Sequence, residues 1–178
     1  MKIQINIDGK NIDAEISEED AKELGLLDKR PQTGYERVEE KECYFVIGAA
    51  GDVSKQIECK AISDQRRRDC GNYYSDEKIA ENNAKADRLL RKLRQWQALN
   101  DEPISKKDCD KEKWTISYNH GKDSSGHDIG LEPRWLLIIH NFGTVFFTTK
   151  EKAKEAIKTF EDELTWYFTE YMQRLDEV

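Results

Sequence analysis

No run of apolar residues in this chain approaches the ~20 that a membrane-spanning helix requires, and the mean hydropathy is -0.88. The opening Met-Lys-Ile-Gln-Ile-Asn-Ile-Asp alternates apolar with polar and offers no apolar signal-peptide block, so secretion is not expected. A basic excess is also missing. The 29 Lys and Arg are outnumbered by 36 Asp and Glu, giving a net charge of -7. That sign excludes a protein that coats duplex nucleic acid, because such binding draws on basic groups displacing counterions. Only 3 prolines occur in 178 residues and aromatics make up 10%, which excludes wholesale disorder. The length suits one ordinary domain able to bury its own core without covalent staples.

Metal and catalytic signatures are lacking as well. Cys43, Cys59, Cys70 and Cys109 show no Cys-x-x-Cys spacing, and His120, His127 and His140 form no i, i+4 pair. Zinc is therefore not expected, and the thiols read as reduced and inert. No histidine accompanies a serine or cysteine in a nucleophile signature, and Gly48-Ala49-Ala50-Gly51 has no lysine to complete a phosphate loop. The expectation is a non-enzyme that needs no cofactor.

What is present is organised. Residues 1–27 read as a small ββα appendage. Ile3, Ile5 and Ile7 alternate, Asp8-Gly9 turns, Ile12, Ala14 and Ile16 alternate again, and Ser17 caps a short helix ending near Gly25. Residues 28–42, with Pro31 and Gly34, read as a connector. In residues 43–103 the spacing predicts a strand over Cys43–Ile47, a second over Val53–Ile62, a polar link through Cys70, and a long helix over Asp76–Leu99. In residues 104–178 it predicts strands at Trp114–Tyr118, Trp135–Ile139 and Gly143–Phe147, a loop over Asn119–Gly130, and one helix over Lys150–Leu175. Thr148 is the expected cap of that helix, opening a Thr-x-x-Glu box with Glu151.

The two halves align at an offset of 73 residues: Tyr73-Tyr74-Ser75-Asp76 falls on Phe146-Phe147-Thr148-Thr149, and Ala80 on Ala153. Aromatic pair, cap, charged first turn and core alanine recur in one order. The fold class is therefore α+β: duplicated strand-strand-helix modules with antiparallel sheet, plus the N-terminal hairpin unit. Two such modules are expected to pair their sheets or to pack as a pseudo-twofold unit, an arrangement that often creates a pocket at the junction. Phe146, Phe147, Ala153, Ile157 and Phe160 are the expected core of the second module, and Trp114 and Trp135 read as core in preference to a ligand platform.

The candidate ligand-binding residues are Arg66, Arg67, Arg68, Tyr73, Tyr74, His120 and Arg134. Guanidinium forks match phosphate oxygens, and tyrosine faces stack on bases. The competing reading makes the arginines a solvated loop and the tyrosines core. His120 and Arg134 belong to the Tyr118–Arg134 segment, read as a long binding loop or as a plain connector. Trp166 lies off the apolar stripe of the C-terminal helix, which makes it the anchor of an expected homo-oligomer, most simply a twofold dimer.

Gly34-Tyr-Glu-Arg-Val-Glu39, Tyr44-Phe-Val-Ile47, Gly71-Asn-Tyr-Tyr-Ser-Asp-Glu-Lys-Ile-Ala-Glu81 and Gly143-Thr-Val-Phe-Phe-Thr-Thr-Lys150 resemble segments of small accessory proteins of phages and prophages of Gram-positive bacteria. That resemblance implies work in the cytoplasm of an infected bacterium against host immunity, and it transfers no functional residue. The expected partner is a nucleotide-derived immune signal, bound and sequestered. The alternative is a host defence protein, such as a nuclease or CRISPR effector, whose nucleic-acid channel the acidic surface would block.

Overall fold

The computed structural model describes residues 2–7, 10–15, 17, 32–104, 111–126, 128–137 and 143–176. The element order is β1 (Lys2–Ile7), β2 (Lys10–Glu15), β3 (Cys43–Ile47), β4 (Val53–Ile57), α1 (Ile62–Asp69), α2 (Glu77–Asn100), β5 (Lys113–Lys122), β6 (Asp128–Leu136), α3 (Lys150–Thr159) and α4 (Glu161–Thr169). The protein is α+β, with three antiparallel two-stranded sheets among the described residues. No helix among the described residues is long and apolar enough to cross a membrane.

The alternating N-terminus forms the expected hairpin, with Ile3 opposite Ala14 and Ile5 opposite Ile12. The short helix predicted after Ser17 lies outside the described residues, as do His127, His140 and Cys109.

The duplication is visible in the backbone. In the first module β3 pairs with β4 on one side, and Phe45 makes an antiparallel bridge to Tyr74 on the other. In the second, β5 pairs with β6, and Trp114 bridges Phe147 in the same sense. The residues that bridge from the third segment, Tyr74 and Phe147, stand 73 apart. Two residues later, each segment caps a helix. The Asp76 carboxylate accepts from the Ile79 amide at 2.9 Å, and the Thr149 hydroxyl from the Lys152 amide at 3.2 Å. One residue further on, Ala80 and Ala153 are both fully buried. Thr149, not Thr148, is thus the cap. Thr148 instead bonds through its amide and hydroxyl to Asp101, at the end of α2, tying the first module to the start of α3.

Helix α2 is the shared spine. Its first turns bury Ile79 and Ala80 against Tyr74 and β3–β4. Further along, Leu89 and Leu93 pack on Leu164, Ile116, Val145 and Phe168 of the second module. Trp96 meets fully buried Phe147 edge-on at 5.9 Å.

Several expected elements differ. The stretch Ser63–Cys70 is not a link but contains α1. Strand β4 stops at Ile57, five residues early, because Glu58 turns inward and Lys60 takes a left-handed φ of 55°. The loop expected over Asn119–Gly130 is mostly strand: β5 and β6 extend as a long hairpin with a register shift between Asn119 and Lys122. Phe147 contributes a single bridge where a strand from Gly143 was expected. The C-terminal helix breaks at Phe160 (φ -121°, ψ 27°) and ends at Thr169. Phe147 and Ala153 are buried as expected, whereas Phe146, Ile157 and Phe160 are half-buried. Trp166 finds cover within the chain: the Lys85 ammonium lies 3.6 Å from its ring centroid and Tyr171 packs at 5.6 Å.

Candidate ligand cleft

The arginine triplet and its neighbouring tyrosines occupy the last turn of α1 and the segment that follows. Arg66 and Arg68 are exposed. Arg67 is bound into the fold: it donates to the Tyr44 hydroxyl and lies 3.8 Å from the Asp64 carboxylate. Tyr73 is buried, with its ring stacked on Tyr44 at 4.1 Å and 14°. The Tyr73 hydroxyl donates to Glu58 at 2.9 Å, and Glu58 in turn receives Arg37 at 2.8 Å and the Lys60 amide at 2.7 Å. On the other side of the stack, the Tyr44 hydroxyl donates to Asp64 at 2.7 Å.

Two buried carboxylates are thus held by tyrosine hydroxyls, arginines and backbone amides. The Arg37 bond lowers the Glu58 pKa and outweighs burial; the Tyr44 bond and the Cys59 amide do the same for Asp64. Burial first, and then the bond to Glu58, push Tyr73 up to about 12. Tyr74 is also buried, and that burial raises it to about 12. The tyrosine faces are therefore spent on the core, and the triplet is not an open stacking platform. Among described residues no buried side-chain polar atom lacks a partner.

Open space lies elsewhere. A cleft of about 910 Å³ runs between α2, the β5–β6 hairpin, α4 and the residues after it. Leu89, Leu90 and Leu93 supply its α2 wall, Leu164 and Phe168 its α4 wall. Tyr167 and Tyr171, stacked on each other at 5.1 Å, stand at one side. This volume suits a small-molecule site, which is typically about 300–1,000 Å³ with apolar walls and a few polar groups. The tail beyond α4 is fastened to the first module: Tyr171 donates to Asn83 at 2.9 Å, and the Leu175 amide to the Thr33 carbonyl at 3.1 Å. The cleft therefore lies where the two modules meet.

A second, polar groove of about 490 Å³ is lined by Ser117, Tyr118, Asn119, His120, Glu132, Pro133, Arg134 and Trp135. Here the structure brings together two of the predicted residues, His120 and Arg134, both exposed, while Arg66, Arg67, Arg68, Tyr73 and Tyr74 line neither space. Arg134 and Ser117 line both the cleft and the groove. The His120 ring tilts against Tyr118 at 4.8 Å. The Asn119 side-chain amide donates to Glu132 at 3.2 Å and so orients that carboxylate.

Trp135, expected in the core, is 55% exposed. A signal for this was in the chain. Trp114 gives both of its backbone groups to Phe147, so β5 bonds to β6 through the alternate residues, and Pro133 has its missing N–H facing away from β5. Proline is tolerated there only on an edge strand, and an edge strand leaves its neighbouring side chains room to reach water. Among the described residues no group of three His, Cys, Asp or Glu is placed to hold a metal ion. No family model, curated protein or solved structure matches this chain.

Proposed function

We propose that the protein is a non-catalytic binder of a nucleotide-type small molecule, held in the cleft between α2, α4 and β5–β6. The observation that carries this reading is the position of Arg134, which lines an apolar cleft and a polar groove at once. A nucleotide combines a flat, weakly polar base with a hydroxylated sugar and an anionic phosphate. The apolar cleft matches the base, the guanidinium matches the phosphate, and Ser117, Asn119 and Glu132 match the sugar hydroxyls. In a chain of net charge -7, one arginine at this junction attracts the anion locally, while the rest of the surface discourages long nucleic acids.

The resemblance to accessory phage proteins gives the ligand a context: a nucleotide-derived signal of bacterial immunity, sequestered in the cytoplasm of an infected host. Calorimetric titration of micromolar protein with mononucleotides, cyclic nucleotides and ADP-ribose-type nucleotides tests the reading. Saturable heat with at least one of them is the expected result. Absence of heat with all of them, together with stoichiometric capture of a host defence protein from lysate, would replace this reading with the inhibitor alternative.

A further inference from the structure

The two spaces that share Arg134 are walled differently, and the difference specifies the ligand further. Resting on the nucleotide reading, we infer that the ligand is a dinucleotide whose two nucleosides are joined by a phosphodiester. One base occupies the apolar cleft, the linking phosphate meets Arg134, and the second base stacks on Trp135.

Isolated exposed apolar side chains need no explanation, but Trp135 is not isolated. Trp135 is 55% exposed and lines the polar groove together with Arg134 and Glu132. A groove that combines an exposed aromatic side chain with a guanidinium is the kind of surface on which single-stranded bases stack. Glu132 narrows the class of ligand. Asn119 uses one of its hydrogen-bonding positions at 3.2 Å, and a carboxylate accepts at about four, so a ribose hydroxyl can still donate to it. The same carboxylate repels a chain of phosphates. A singly charged diester therefore suits the junction, and a di- or triphosphate does not. A mononucleotide fills the apolar cleft and leaves Trp135 wet. A dinucleotide covers both.

The test is titration of the full chain with AMP and with the linear dinucleotide ApA, for wild type, Trp135→Ala and Trp135→Phe. Trp135 is solvent-facing, so its loss leaves the fold intact, which the melting temperature checks. The wild type should bind ApA at least about 10-fold more tightly than AMP, in keeping with the stacking of one additional base. Trp135→Ala should erase that difference without changing AMP binding, and Trp135→Phe should retain part of it. Equal affinity for AMP and ApA, or equal weakening of both by Trp135→Ala, overturns the second subsite and leaves the cleft reading standing. Binding of neither AMP nor ApA overturns the dinucleotide inference, and the cleft reading falls with it when cyclic and ADP-ribose-type nucleotides also give no heat.

Discussion

Tyr44 and Tyr73 stack face to face at 4.1 Å, and each ends on a different buried carboxylate, Asp64 and Glu58 respectively. The pair joins β3, the end of β4, α1 and the segment leading into α2 through one polar core. Each hydroxyl offsets the desolvation of a charge that would otherwise be expensive to bury.

Tyr73→Phe keeps the stack but removes the donor to Glu58 and the acceptor of the Val38 amide. Glu58 retains Arg37 and the Lys60 amide, so the expected destabilisation is about 1–3 kcal/mol. Urea unfolding measures it. An unchanged midpoint would mean that the network does not hold the module.

The carboxylates predict acid sensitivity. Burial pushes Glu36 up, but the Thr33 amide and hydroxyl and the Gly34 amide outweigh it and hold the group at about 2. Glu58 and Asp64 are lowered as well. A depressed folded pKa stabilises the protein fully above the unfolded value, ~4.3 for Glu. That stabilisation is lost as pH falls toward 2. The melting temperature should drop across that window. Tyr73 and Tyr74, raised to about 12, act in the opposite sense: their contribution is complete below pH ~10 and disappears as pH climbs toward 12. A melting temperature flat across both windows would contradict these assignments.

Gly34 and Gly71 both have left-handed φ, 92° and 73°, but different surroundings. A Cβ on Gly34 would lie 2.8 Å from Ile79 Cγ1, whereas one on Gly71 meets nothing within 4 Å. Both alanine variants carry backbone strain of ~1 kcal/mol. Gly34→Ala adds a core clash of about 1–3 kcal/mol. Thermal melts of the two should separate accordingly; equal losses would show that Ile79 yields at no cost.

Phe147 is fully buried among Ala153, Ala156, Trp96 and Trp114. Phe147→Ala should cost about 3–5 kcal/mol. Half-buried Phe160, at the break between α3 and α4, should cost less when changed to Ala. Denaturant unfolding that ranks the two the other way would place the core of the second module at the break.

The repeat was legible because its carriers are local: an aromatic pair, a polar cap region and a small residue one turn into the helix recur at 73, although the cap itself falls one residue later than the hydroxyl expected at Thr148. Helix α1 was not legible. Its sequence, Ile-Ser-Asp-Gln-Arg-Arg-Arg-Asp, has no apolar stripe; Ile62 is 75% exposed, and the buried residue is Asp64. That carboxylate accepts from the Cys59 and Ala61 amides at 3.0 Å and from the Tyr44 hydroxyl at 2.7 Å, so a local cap and a tertiary polar contact hold the helix, not a hydrophobic period. The α3–α4 break left a trace, three acids at Glu161–Glu163 in a new first turn, but continuous apolar spacing across Phe160 masked it. Of the candidate site residues, His120 and Arg134 reach open space because the hairpin projects them there. Tyr73 and Tyr74 do not, since the bridge from Tyr74 to Phe45 draws that segment into the core.

In the proposed site the nucleotide meets Arg134 and not the arginine triplet. Titration of the nucleotide that gives the largest heat into wild type, Arg134→Ala and Arg66→Ala tests this most directly. Both residues are exposed, so both variants should melt like wild type. Arg134→Ala should weaken binding about 10-fold or more, the scale of a lost charge-assisted bond, and Arg66→Ala should bind as wild type does. Full binding by Arg134→Ala, with loss in Arg66→Ala, would place the phosphate at the arginine triplet instead.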